Sequence, residues 1–139
     1  MLVGEGVCIV EEANTLTAEE SDFLAGFFGS VGITKVLPSR LMDAGGTLTG
    51  CGPAFTYMYI EALADGAVYH GLPRKDAYTL AAQMVLGAAK MVLETGVQPG
   101  ELKDNVCAPG GSTIRGVATL EESGFRAAAI NAIHEASDT

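Results

Sequence analysis

The residues best suited to chemistry lie between Asp104 and Arg115, in the run Asp-Asn-Val-Cys-Ala-Pro-Gly-Gly-Ser-Thr-Ile-Arg. A proline and two glycines stand just ahead of two hydroxyl residues, where a fresh helical pattern begins. Glycine has no side chain to shield the backbone, so N–H groups in such a loop stay open. A helix starting at Ser112 or Thr113 adds its own unpaired donors and the positive end of its dipole. Such a corner is suited to an anion, either a carboxylate or a phosphate. Thr113 offers a hydroxyl to a neighbouring polar atom. Asn105, just upstream, carries an amide that both donates and accepts at the rim of a polar pocket.

Other chemistries fit less well. The loop lacks the lysine and the four-residue spacing of a P-loop, which sets nucleotide hydrolysis aside. Gly50-x-Gly52-x-x-Phe55 superficially matches a dinucleotide fingerprint. However, no strand immediately precedes it, and a bulky phenylalanine stands where close packing needs glycine or alanine. A helix-start turn is the expectation there. Cys107 adjoins the loop, but neither His70 nor His134 has a recognisable partner to orient it as a base. A packed, inert thiol is expected at 107, exposed or capping histidines at 70 and 134, and no metal site. Lys103 and Asp104 read as a solvated helix end.

Several elements must position this loop. Residues 1–38 read as strand, helix, strand: Gly6–Val10, a helix capped by Thr17 and Glu20, and Ile33–Leu37 closed by Pro38. Thr17 and Glu20 form a capping box, after which Phe23, Leu24, Phe27 and Phe28 share one helical face. This βαβ-like piece cannot complete a stable sheet alone. From Ser39 onward every periodic signal is helical. A short helix around Arg40–Leu48 leads to Gly50-Cys51-Gly52-Pro53, with Pro53 suited to a first helical position. The next helix carries Phe55, Met58, Tyr59, Ala62, Leu63, Gly66 and Ala67 at three- and four-residue spacing. Another runs from Pro73 to about Thr95, with one narrow polar stripe through Asp76, Thr79, Gln83, Gly87, Lys90 and Glu94. So thin a wet face belongs in a core or a dimer seam, and Gly87-Ala88-Ala89 permits close helix approach. Gly96 and Pro99 end it. A short helix over Gly100–Val106 precedes the glycine loop, and helices Ser112–Ser123 and Phe125–Ser137 follow, hinged at Gly124.

Composition limits the function classes. The chain has 139 residues, eight Lys and Arg against seventeen Asp and Glu, and a net charge of −9. With no basic stripe, nucleic acid is not an expected partner. Cys8, Cys51 and Cys107 are odd in number and far apart, which points to free thiols in a reducing compartment. No apolar stretch is long enough to span a bilayer, so a soluble, cytoplasmic protein is expected. Between Leu41 and Gly71 the only ionisable side chains of Asp, Glu, Lys, Arg or His type are Asp43, Glu61, Asp65 and His70. That excess of apolar surface is explained by an oligomer interface.

The segment from Glu101 through Asp-Asn-Val-Cys-Ala-Pro-Gly-Gly-Ser-Thr-Ile-Arg to Gly116, continuing to Leu120-Glu121 and Gly124-Phe125-Arg126, resembles the signature of pyrroline-5-carboxylate reductase. Leu48-Thr-Gly-Cys-Gly-Pro-Ala-Phe, Ile60-Glu-Ala-Leu-Ala-Asp-Gly, Ala81-Ala-Gln-Met-Val-Leu-Gly-Ala-Ala-Lys-Met and Leu2-Val-Gly-Glu-Gly-Val extend the likeness along the chain. The resemblance implies a mainly α fold. Residues 1–38 would be the end of a Rossmann domain, and residues 39–139 a helical dimerisation and substrate-loop domain of the 6-phosphogluconate-dehydrogenase C-terminal-like type. It implies reduction of 1-pyrroline-5-carboxylate to L-proline with NADPH or NADH in a homodimer or higher homo-oligomer. The dinucleotide fingerprint and first strands are absent from the sequence, so a fragment inactive alone is expected.

Carried over by resemblance, the substrate loop falls on Ala108, Pro109, Gly110, Gly111, Ser112 and Thr113. N–H groups at Ser112 and Thr113 would hold the carboxylate, and the Thr113 hydroxyl would bond the imine nitrogen as the catalytic contact. Asn105 would meet the nicotinamide cofactor across a dimer. Two departures stand out. Ser39 and Arg40 occupy a stretch where many members carry an acidic substrate-contacting residue, and Ala108 replaces a common serine. The competing expectation is a helical dimer that binds a small carboxylate or a protein partner without catalysis.

Overall fold

The β-branched run near the start forms β1 (Gly6–Glu11), and the second extended run forms β2 (Gly32–Leu37). This computed structural model describes residues 3–12 and 15–137. The two strands pair in parallel, from Gly6 opposite Gly32 to Glu11 opposite Leu37. A parallel pair needs a crossover, and here it is α1 (Ala18–Gly29). The register allows only glycine at 32. A Cβ there would lie 1.9 Å from the Gly6 carbonyl oxygen, and φ is +153°.

The expected capping box closes α1. Thr17 N–H and its hydroxyl both donate to the Glu20 carboxylate at 2.8 Å, and the Glu20 N–H returns a bond to the Thr17 oxygen at 3.3 Å. The predicted aromatic face divides. Leu24 and Phe28 are half-buried, whereas Phe23 and Phe27 are exposed.

One element differs from its sequence reading. After a single 3₁₀ turn at Ser39–Leu41, α2 (Met42–Tyr69) runs unbroken, with Pro53 inside it rather than at its start. Proline is normally excluded there because it lacks an N–H and crowds the carbonyl four residues back. Part of that penalty is the clash of its ring with the Cβ of the preceding residue. Gly52 has no Cβ, so the ring fits and the helix continues. The carbonyl four residues back is that of Thr49, whose hydroxyl donates to the Gly45 carbonyl at 2.9 Å. Gly45 itself admits the first turns of α2 against the sheet, since a Cβ there would lie 2.6 Å from Leu37 Cδ1.

The remaining helices follow the predicted order: α3 (Arg74–Thr95), α4 (Pro99–Asn105), α5 (Ser112–Glu122) and α6 (Phe125–Ser137). Gly96 ends α3 at φ +65°, and Gly124 separates α5 from α6 at φ +74°. Both are left-handed positions that glycine occupies without steric cost. Met1–Pro53 with Ala132–Thr139 forms one compact unit and Ala54–Asn131 a second. No described helix is long and apolar enough to cross a membrane.

Little is fully enclosed. Among the described residues the buried apolar side chains are Ala64 on α2 and Ala77 on α3. On α2, Phe55, Tyr59, Ile60, Leu63, Ala67 and Val68 are half-buried, while Met58, Ala62 and Gly66 from the predicted stripe are exposed. On α3, Ala77, Ala81, Val85 and Val92 turn inward, whereas Leu80, Met84, Met91 and Leu93 lie open. Of the two expectations for α3, a core position is not met within one chain. A Cβ on Gly87 would meet nothing within 4 Å, so the close helix approach expected there is also absent within the chain.

Candidate functional site

Pro99 stands at the first helical position of α4, where its missing N–H costs nothing. The helix ends in tight turns: Val106 N–H bonds the Lys103 carbonyl at 3.2 Å, and Cys107 N–H bonds the Asp104 carbonyl at 3.0 Å. Cys107 is half-buried and a free thiol, as expected for a packing role. The chain then makes a four-residue turn from Ala108 to Gly111, closed by a 3.0 Å bond from the Gly111 N–H to the Ala108 carbonyl. Pro109 fixes φ at the second position, and Gly110 supplies the positive φ of +69° at the third. That combination identifies a type II turn. Gly111 is also constrained, because a Cβ there would lie 3.1 Å from the Ala108 carbonyl oxygen.

The turn delivers the chain into α5. Gly111 is the N-cap, in extended backbone, and no side chain caps the helix. The first N–H groups of a helix have no partner within it. Here the N–H groups of Ser112 and Thr113 receive no capping oxygen, and no acidic residue occupies the first turn. Ser112 and Thr113 are exposed, with their hydroxyls on consecutive helical positions. The six loop residues Ala108 to Thr113 thus form one continuous turn and helix start that presents backbone donors to solvent.

Asn105, the last residue of α4, is exposed on the rim of a groove of about 560 Å³. Tyr59, Met91, Val92, Leu102 and Val106 give that groove an apolar floor, and Lys103 joins Asn105 as its polar end. Tyr59 is steadied by Phe125, with ring centroids 5.6 Å apart. Lys103 is half-buried rather than fully solvated, and its ammonium pairs with the Asp104 carboxylate, which raises its pKa above the ordinary lysine value. The groove itself was not legible in the sequence. Its lining residues show ordinary helical spacing, which marks apolar faces but not which faces adjoin. A smaller hollow of about 450 Å³ against α1 is lined by Leu16, Phe23, Leu24, Glu19 and Glu20. Its two carboxylates repel an anion, so it does not compete with the α5 start.

The other sequence candidates fall as follows. Gly50 and Gly52 sit in the middle of α2, away from any strand end, which removes the dinucleotide-turn reading. His70 follows the end of α2 and meets the Tyr69 ring edge-on at 5.3 Å, and His134 is exposed in the last turn of α6. No group of three or more His, Cys, Asp and Glu gathers to hold a metal ion among the described residues.

The family model described as pyrroline-5-carboxylate reductase dimerisation matches residues 39–139. The pyrroline-5-carboxylate reductase of Methanosarcina acetivorans is 51% identical over 136 residues, covering 98% of this chain and 50% of that protein. That of Escherichia coli K12 is 46% identical over 132 residues, covering 95% and 49%. Among solved structures, Plasmodium falciparum pyrroline carboxylate reductase with NADP bound superposes with a TM-score of 0.88 at 34% identity. The match takes in 99% of this chain and 52% of that one. The chain spans about half the length of the curated relatives it matches.

Proposed function

Because this chain belongs to the pyrroline-5-carboxylate reductase dimerisation family, we propose that it is the substrate-loop and dimerisation part of a reductase that converts 1-pyrroline-5-carboxylate to L-proline. The observation that carries this reading is the uncapped start of α5, which offers Ser112 and Thr113 N–H groups inside the family-matched segment. In this reading residues 1–38 close a cofactor domain and residues 39–139 form the helical domain. The parallel β1–β2 pair with its α1 crossover is the arrangement such a cofactor domain repeats.

The substrate carboxylate is held by the Ser112 and Thr113 N–H groups, reinforced by the helix dipole. The turn from Ala108 through Pro109 and Gly110 to Gly111 fixes those donors in place. Anchoring one end of a rigid ring orients its C=N bond, and that positioning is the larger part of what the protein supplies. The Thr113 hydroxyl hydrogen-bonds the ring nitrogen and orients it, and the proton that nitrogen gains as the imine carbon takes up hydride comes from solvent. NADPH or NADH, when bound, supplies the hydride to the imine carbon. Asn105 fits that partner, because its exposed amide donates and accepts on the groove rim. The exposed apolar stripes of α2 and α3 support assembly as a homodimer or higher homo-oligomer, and the cytosol is the compartment consistent with free thiols.

The test is direct. Mixed with 1-pyrroline-5-carboxylate and NADPH, the 139-residue chain alone is expected to leave the cofactor unoxidised, and turnover would show that its own residues suffice. In an intact reductase carrying this loop, Thr113→Val should lower kcat/KM about 100-fold, the scale of losing one positioned hydrogen bond at the reacting centre. An unchanged kcat/KM would remove the role given to Thr113. If an intact enzyme carrying this chain binds the carboxylate without any reduction, the non-catalytic dimer is the correct account.

A further inference from the structure

Among the described residues, β1 and β2 form a sheet of two parallel strands, and no third strand pairs with either outer edge. Parallel sheets occur with both faces covered, and a pair of strands alone is marginal. Cover is partial here. The first turns of α2 approach Leu37 and Ile9, whose side chains share one face of the sheet. Farther along that face Val7 stands opposite Ile33, and Ile33 is 55% exposed. The crossover helix is open as well. On α1, Leu24 and Phe28 are half-buried, while Phe23 and Phe27, four residues apart, are 71% and 60% exposed. Phe23 lines the hollow of about 450 Å³ with Leu16 and Leu24, and Glu19 and Glu20 edge it.

An open strand edge beside exposed aromatic side chains calls for another layer of backbone and apolar side chains. The size of that layer follows from the relatives, since this chain spans about half of their length. We propose that β1, β2 and α1 form a docking surface for a separate polypeptide equivalent to the unmatched half of those relatives, so that two chains make one cofactor domain. The inference rests on the reading of residues 1–38 as the end of that domain, and adds that the join forms without a peptide bond. A strand of the partner extends the sheet through main-chain hydrogen bonds at an open edge. Apolar side chains of the partner cover Phe23, Phe27 and Ile33, and basic residues face Glu19 and Glu20 at the rim. The surface is set before any partner arrives. The Thr17–Glu20 box closes α1, and the β1–β2 register runs the full length of both strands.

The unmatched half of the Escherichia coli reductase is co-expressed as a separate chain with the 139-residue protein, and association is read by co-purification and light scattering. An equimolar complex is expected. Phe23→Asp with Phe27→Asp should weaken it at least about tenfold, the scale of one buried aromatic ring lost. Both rings are exposed in the chain alone, so its helix content by circular dichroism should not change. Absence of a complex overturns the proposal, as does a complex that the double substitution leaves intact. So does loss of the chain's own homo-oligomer in the substituted protein, which would assign this face to a second copy. The two sequences joined as one polypeptide separate this inference from the reductase reading. Turnover of 1-pyrroline-5-carboxylate with NADPH by the joined chain but not by the co-purified pair overturns docking alone. A joined chain without turnover counts against the reductase reading instead, and co-purification still decides the docking.

Discussion

The chain begins two helices in opposite ways. At α1, Thr17 and Glu20 satisfy one another's backbone, and Glu19 and Glu20 supply the negative charge the helix dipole favours. At α5, a glycine caps nothing, no acidic residue is present in the first turn, and an arginine stands in it. The first arrangement satisfies its own donors and needs nothing else. The second leaves donors open at a cost in helix stability, which a bound anion would recover. Sites of this kind sit where local rules of helix design are broken, because a satisfied helix start has no capacity left for a ligand.

Four substitutions or conditions test that contrast. The largest effect is expected from Gly32→Ala, which removes the framework that carries α1. A Cβ 1.9 Å from the Gly6 oxygen cannot be accommodated without separating β1 from β2. Strain and overpacking together should cost about 3–4 kcal/mol in urea unfolding. A stability within 1 kcal/mol of wild type, roughly the scale of an ordinary substitution, would contradict the register.

Gly111→Asp makes α5 start as α1 does. The new carboxylate occupies the open N–H groups and repels the ligand, so L-proline affinity should fall at least about tenfold. Stability should change little, because the new cap bond offsets the 3.1 Å approach to the Ala108 carbonyl. Retained affinity would mean that these donors do not hold the carboxylate.

Thr17→Ala opens the closed start. Loss of an N-cap hydroxyl typically costs about 1 kcal/mol, with faster amide exchange confined to the first turn of α1. Protection unchanged in that turn would show that the capping box contributes nothing.

The smallest effect is on acidification. The Thr17 N–H, and secondarily its hydroxyl, hold the Glu20 carboxyl below its ordinary value of 4.5. A depressed carboxylate stabilises the fold above its unfolded pKa and loses that contribution as pH falls through the folded value. The first turn of α1 should therefore loosen below about pH 4.5, and α5 should show no matching change, since its first turn carries no acid. Equal loosening of both helix starts in an NMR pH titration would erase the distinction.

Much of this was legible because it is local. Thr17 and Glu20, three residues apart, are enough to specify a cap. Pro109-Gly110 specifies a type II turn, and Gly96 and Gly124 specify helix ends, because each requirement falls on the residue's own φ and ψ. Pro53 misled for the same reason. Its preference for a helix start is real, but Gly52 relieves the clash that enforces it. The apolar stripes of α2 and α3 were visible as patterns, yet periodicity does not assign one stripe to Ala64 and Ala77 and the other to the exterior.

The sequence by itself determined the elements other than α2, the loop from Ala108 to Thr113 and, through its family likeness, the class of ligand to expect. Tertiary structure decided that Lys103 and Asn105 share a groove with Tyr59 and Val92. It also decided that, among the described residues, Arg115 makes no ion pair of the kind Arg74 and Arg126 make. Backbone preferences are set by neighbours in the chain, whereas pairing and enclosure are set by residues distant in sequence and near in space.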